Sequence, residues 1–158
     1  FEKIGKSRTF LIFDEEADEF HLLAYFTLAL QVLRIPQDLL SSRETLKLDG
    51  FSSKMKGQKI TQFPVILIGQ IGKNDLYRRD ITGYEMMQYC LSTLLDGQER
   101  LGGRIILLEC KNNPFLIDFY SRYGFKVIDR DYQADELLQM IKILQDQELI
   151  KPDRSEGR

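Results

Sequence analysis

The stretch that most constrains this chain runs Phe63-Pro64-Val65-Ile66-Leu67-Ile68-Gly69-Gln70-Ile71. It is too apolar for a surface strand and reads as a central strand buried on both faces. It leads into Tyr77-Arg78-Arg79-Asp80-Ile81-Thr82-Gly83-Tyr84, and the stripe Met86, Met87, Cys90, Leu91, Leu94 and Leu95 follows at helical spacing. The order is strand, short basic turn, helix. The stripe is core, and Asp96-Gly97 reads as the helix stop after a helix from about Thr82 to Leu95. The first N–H groups of a helix have no intrahelical partner and the dipole is positive there, so such an end accepts phosphate readily. Arg78 and Arg79 sit beside it, and Gly83 lets backbone approach a ligand closely. On its own the arrangement serves equally well as an ordinary turn. Gly69 and Gly72 mark a bulge or a close backbone approach.

A second stretch adds to this. Arg104 to Cys110 reads as another strand; Asn113 is a good N-cap and Pro114 a good first helical residue. The helix reaches about Tyr123 and stops at Gly124, and Phe125 to Asp131 reads as a strand. Together the two stretches resemble the GNAT superfamily of acyl-CoA-dependent N-acetyltransferases, over roughly Leu22 to Leu144. That family carries a Gln/Arg-x-x-Gly-x-Gly/Ala turn for the CoA pyrophosphate, then an Asn, a helix, a Tyr and a Gly-Phe pair. Arg78 takes the first turn position and Gly83 the last, while Ile81 stands where the family has its first Gly. Asn113, Tyr120, Gly124 and Phe125 fall at the later positions.

The resemblance implies an α/β GNAT fold, a mixed central sheet flanked by helices, with acetyl-CoA as cosubstrate. It implies that Arg78, Arg79, Ile81, Thr82, Gly83 and Tyr84 hold the pyrophosphate. The backbone of Leu67, Ile68, Gly69, Gln70 and Ile71 would pair with the pantetheine arm, beside a bulge that splays the neighbouring strands. Asn113 would lie near the cofactor. Tyr120 would be the general acid for the CoA thiolate as the acetyl group passes to a primary amine; Tyr123, one turn on, is the decoy. The departure at Ile81 implies a looser phosphate grip, though backbone N–H groups make most of those contacts. It also favours the alternative of a non-catalytic acyl-CoA-binding module. The family's order puts a strand and two helices ahead of the strand beginning at Arg8. None is found, so an N-terminally truncated or separately processed chain is expected, with part of the acceptor wall absent.

The base is left open. The central strand carries no carboxylate or His, and Glu109, His21, Tyr25, a water chain or an acceptor amine of low pKa would each serve. The amino group of an aminoacyl-tRNA is such a weak base, and some GNAT toxins acetylate it. Leu-Leu-Ala-Tyr-Phe-Thr-Leu-Ala and the run from Phe63 look like that branch. Relatives are often dimers, so a homodimer is an expected partner.

At 158 residues the chain is expected to form one domain, residues 1–150, with a flexible tail at 151–158. The net charge of −2 argues against a dedicated nucleic-acid binder. Two cysteines far apart and one His make neither a metal site nor a disulfide framework. No apolar run reaches membrane-spanning length and no signal peptide is found, although the chain begins with Phe1, so a cytoplasmic setting is the default expectation.

The remaining elements follow from period and punctuation. Arg8 to Phe13 and Phe20 to Leu33 form a hairpin about the acidic turn Asp14 to Glu19. The long strand has an apolar face of Phe20, Leu22, Ala24, Phe26, Leu28, Leu30 and Val32, expected to be fully buried, and a less apolar one with His21, Tyr25, Thr27 and Gln31. Ser41-Ser42-Arg43-Glu44 has the form of a helix cap, and the lysine-bearing segment Lys47 to Lys59 is expected to be a mobile loop. For Asp135 to Leu149 propensity favours helix, whereas the family topology needs a last strand at about Leu137 to Leu144; the strand is the expectation.

Overall fold

The computed structural model describes residues 2–15 and 18–144. The proposed tail at 151–158 lies outside them. The elements are β1 (Ser7–Asp14), β2 (His21–Arg34), α1 (Ser42–Asp49), β3 (Lys54–Met55), β4 (Gln58–Lys59), β5 (Gln62–Lys73), α2 (Gly83–Leu101), β6 (Ile105–Cys110), α3 (Pro114–Ser121), β7 (Lys126–Val127) and β8 (Leu138–Ile143). Six strands make one sheet in the order β1-β2-β5-β6-β8-β7. Only β5 and β6 run parallel, joined across α2; the other neighbours are antiparallel.

Alternation along the strands gives the sheet two apolar faces. On the first face Ala24, Phe26, Ile68, Ile106, Leu108, Cys110 and Met140 pack against Met86, Met87, Cys90 and Leu94 of α2, with Ile117, Phe119 and Tyr120 of α3 beside them. On the second face Leu33, Phe63, Val65, Ile105 and Leu107 pack with Leu48 of α1, Ile35 and Ile128. The central strand β5 is therefore apolar because it is covered on both sides.

The phase of β5 changes once. Thr27 pairs with Gln70 and Leu28 with Ile68, so Gly69 is the extra residue of a bulge. The sequence demands it. Ile68 and Ile71 both pack on the first face, and three residues is an odd step for a strand of period two. One inserted residue restores the phase and leaves Gln70 exposed.

Four expectations are corrected. The helix after the basic turn does not stop at Asp96-Gly97. It runs to Leu101 and ends at Gly102, at φ 77°, because one glycine costs only about 1 kcal/mol in a helix interior and does not break it. The apolar face of β2 is not buried throughout: Leu30 and Val32 are exposed, and so is Phe20 just before the strand. The first-face helices cover only the middle of that strand. Lys47 to Lys59 is not a plain loop. Lys47 lies in the last turn of α1, and β3 and β4 form a small hairpin through Lys56 and Gly57, both at positive φ. Lys59 is tied back through its Nζ to the carbonyls of Gln37 and Leu40. The stretch Phe125 to Asp131 pairs only at Lys126–Val127, since Ile128 already turns into the second core.

The last strand is present. Leu138–Ile143 lies between β6 and β7, with Leu138 and Met140 on one core and Ile141 and Ile143 on the other. The Ser41–Glu44 capping box is formed, and burial, not sequence period alone, holds α1 through Leu48 and Thr45.

Candidate active site

The bulge has a direct consequence for the sheet. β5 and β6 pair from Val65–Ile105 to Ile68–Leu108 and then part. Beyond that point the β6-facing edge of β5 has no strand on it among the described residues. The gap opens a cleft of about 260 Å³ lined by Tyr25, Ile68, Gly69, Gln70, Ile71, Leu108, Glu109 and Tyr120.

Tyr120 reaches the cleft from α3. Asn113 caps that helix, its side chain accepting from the Phe115 N–H at 2.9 Å, and Pro114 stands first. Gly124, at φ +85°, turns the chain back afterwards so that Phe125 is buried under the tyrosine. The Tyr120 ring is held edge-on by Phe119 and Phe125, with centroids at 5.2 and 6.3 Å. Its hydroxyl makes no hydrogen bond among the described residues. Burial pushes its pKa above the ordinary phenol value, with smaller contributions from Cys110 and Cys90. The phenol therefore keeps its proton at neutral pH. Tyr123 packs its ring against Phe119 and is not among the residues lining the cleft.

The start of α2 is built separately. Thr82 is the N-cap; its Oγ1 accepts from the Glu85 N–H, and the Glu85 carboxylate accepts from the Thr82 N–H at 2.7 Å. This lowers the Glu85 pKa. The N–H groups of Gly83 and Tyr84 are left without an acceptor among the described residues. Arg78 and Arg79 are exposed in the turn before them, and Arg78 makes only a long contact to Asp75. Lys73, at the end of β5, donates to the carbonyls of Ile81 and Arg78 at 3.0 and 3.3 Å and pins the turn from below. Two amides without an acceptor among the described residues, the exposed Arg79 and Arg78 with its long contact to Asp75 fit a pyrophosphate, and the unpaired edge at Gly69 and Gln70 fits an extended amide-bearing arm. The residues present thus suit acetyl-CoA.

The sequence-predicted residues fall into three groups. Ile68, Gly69, Gln70, Ile71 and Tyr120 come together at the cleft. Arg78, Arg79, Thr82, Gly83 and Tyr84 gather at the α2 start, and Asn113 at the start of α3. Two side chains do something else. Leu67 packs into the second core opposite Leu107. Ile81 is 4% exposed and plugs the first core, so only its backbone serves the turn. Gly83 has a packing reason as well as a ligand one, because a Cβ there would sit 3.0 Å from the Phe119 ring. Sequence reading missed Lys73 and Leu108. Lys73 could have been noticed as a cation closing an apolar strand just ahead of a turn. His21 is not a cleft residue; it stacks on Tyr77 at 4.5 Å and faces Glu19 at 3.8 Å. No cluster able to hold a metal ion occurs among the described residues, nor does any helix long and apolar enough to cross a membrane.

No protein-family model matches the sequence, and no curated protein matches it. Solved structures do. A tyrosine-to-phenylalanine mutant of the toxin AtaT is 15% identical, over 90% of this chain and 69% of that one, with a TM-score of 0.59. AtaT complexed with acetyl-methionyl-tRNAfMet matches at 14% identity over 87% and 72%, with a TM-score of 0.58. NAA60 of Arabidopsis thaliana, in complex with a bisubstrate analogue, matches at 13% over 89% and 78%, with a TM-score of 0.53. The fold is that of the GNAT superfamily, and toxins of that fold are among the structures it resembles.

Proposed function

We propose that this chain is an acetyl-CoA-dependent N-acetyltransferase that acylates a primary amine. The observation that carries the reading is the parting of β5 and β6 at Gly69 with Tyr120 lining the opening. Bound acetyl-CoA supplies a thioester carbonyl open to attack by a neutral amine. The free edge of β5 orients the arm, and the α2 start with Arg78 and Arg79 holds the phosphates. Tyr120 gives its proton to the departing sulfur, a general-acid role. Ile81, with its side chain in the core, leaves the backbone of the turn free for phosphate.

The acceptor class we favour is the α-amino group of an aminoacyl-tRNA. Support comes from the similarity to AtaT, one of whose structures contains acetyl-methionyl-tRNAfMet. The net charge of −2 confines any RNA contact to a local basic surface.

Calorimetric titration with acetyl-CoA tests the first part. Binding that is lost in the double variant Arg78→Ala, Arg79→Ala while the melting temperature is kept supports the reading. A folded protein that binds no acetyl-CoA refutes it. Release of CoA thiol with methionyl-tRNA, set against methioninamide, then tests the acceptor class.

A further inference from the structure

The acceptor amine must lose a proton as it attacks, and β5 offers no side chain to take it. We infer that Glu109 takes that proton and that Gln139 is the residue that positions it; this rests on the acetyltransferase reading above. Glu109 directly follows Leu108, the last β6 residue paired with β5, so it stands beside the Gly69 bulge where the strands part. Leu108 and Cys110 point into the first core, so by alternation Glu109 points to the second face. Tyr25 lies on that same face, its ring 3.4 Å from where a Gly72 Cβ would be. Tyr120 comes from the first face. The cleft is thus lined by residues of both faces, Tyr120 from the first and Glu109 with Tyr25 from the second.

The state of the carboxylate points the same way. Gln139, its cross-strand partner on β8, donates from Nε2 to Glu109 Oε1 at 3.0 Å. Oε2 has no partner among the described residues, and no cation is paired with Glu109 there. A carboxylate held at one oxygen and unpartnered at the other, on a residue that lines a cleft, suits an ammonium or an amine that becomes acidic as it reacts. The other ionisable groups lining the cleft are the phenols Tyr25 and Tyr120. An ionised carboxylate is a pure acceptor, whereas a phenol carries its own proton.

The step balances. The amine lone pair forms the C–N bond to the acetyl carbonyl carbon, and the C–S bond breaks with its pair going to sulfur. Sulfur takes the Tyr120 proton, and nitrogen gives its surplus proton to Glu109 Oε2. Solvent carries that proton back to Tyr120.

The test uses Glu109→Gln, which keeps an oxygen for Gln139 and removes the base. With methionyl-tRNA or methioninamide as acceptor, kcat/KM should fall by about 100-fold, the lower end for a lost general base. Acetyl-CoA affinity by calorimetry should stay within about twofold, since the phosphate-binding turn is untouched. Gln139→Leu should cost about tenfold alone, the worth of one hydrogen bond to a charged group, and nothing further in the Glu109→Gln background. Wild-type turnover in Glu109→Gln overturns the inference. So does a Gln139→Leu loss that simply multiplies with it, or acetyl-CoA binding without transfer to either amine in the wild type. A wild type that binds no acetyl-CoA refutes the acetyltransferase reading instead.

Discussion

Replacing Tyr120 by Phe removes one oxygen and nothing else. The hydroxyl has no hydrogen-bond partner among the described residues, so its loss orphans no donor or acceptor. The ring keeps its edge contacts to Phe119 and Phe125 at 5.2 and 6.3 Å. Stability should therefore stay within about 0.5 kcal/mol of wild type, as for substitutions that break no packing or network. Turnover should not. A positioned acid is worth about 10²–10⁴-fold, and a thiolate, with an ordinary thiol pKa near 8.5, is a fair leaving group that needs help only from the low end of that range. We expect kcat to drop about 100-fold, or about 2.7 kcal/mol in the barrier. Because burial raises the Tyr120 pKa above the ordinary phenol value, any decline of wild-type kcat through loss of this proton should set in at higher pH than for a free phenol. The assay is CoA-thiol release with methioninamide, alongside a thermal melt and an acetyl-CoA titration. Wild-type turnover in Tyr120→Phe refutes the acid role. A melting temperature lowered by several degrees, or lost acetyl-CoA binding, would assign the residue to packing.

Two further outcomes follow from the core. Gly83→Val pushes a branched side chain at a ring only 3.0 Å from its Cβ position; a loss of about 1–3 kcal/mol by denaturant unfolding is expected, and an unchanged midpoint would show that Phe119 yields freely. Burial pushes the Cys90 thiol from 9.0 up to about 12. A raised pKa means the folded state holds its proton after the unfolded state has released it, so stability is full below pH 9 and falls as pH rises toward 12. The limit is about 4 kcal/mol. Thermal melts across that window should show a steeper fall in wild type than in Cys90→Ala, and equal slopes would refute the assignment.

What could be read from sequence was what has a local cause. Asn113-Pro114 and Ser41-x-x-Glu44 announce helix starts because the capping bonds lie within a few residues, and both form. The run from Phe63 announces a central strand because burial on two faces leaves no polar positions. The helix end did not follow from Gly97, since a stop needs a break in helical backbone such as Gly102 makes at φ 77°, not merely a glycine. The exposure of Leu30 and Val32 was also hidden, because an apolar period shows which residues share a face and not how far the covering helix reaches. Leu138–Ile143 reads as helix by propensity. It is a strand because β6 needs a neighbour on its other edge and both cores need its alternating side chains. At the site, the residues that sequence could place were those tied to a turn or cap. Glu109 and Tyr25 could only be named as candidates, because what brings them together is pairing between strands far apart in sequence.

That pairing comes back to one residue. Ile68 and Ile71 are both apolar and both belong to the first core, which a regular strand cannot arrange. Gly69 absorbs the mismatch as a bulge, and a bulge bends and twists the strand that carries it. β2 follows β5 through the bulge, with pairing resumed at Thr27–Gln70 and continued to Ala24–Lys73. β6 does not follow, because it ends at Cys110 and turns into α3. The opening between β5 and β6 is therefore a product of core packing, and the same geometry that buries Ile71 sets Glu109 and Tyr120 on either side of it. The cleft should accordingly persist in the ligand-free protein, since closing it would expose Ile71 or bury Gln70 without a partner.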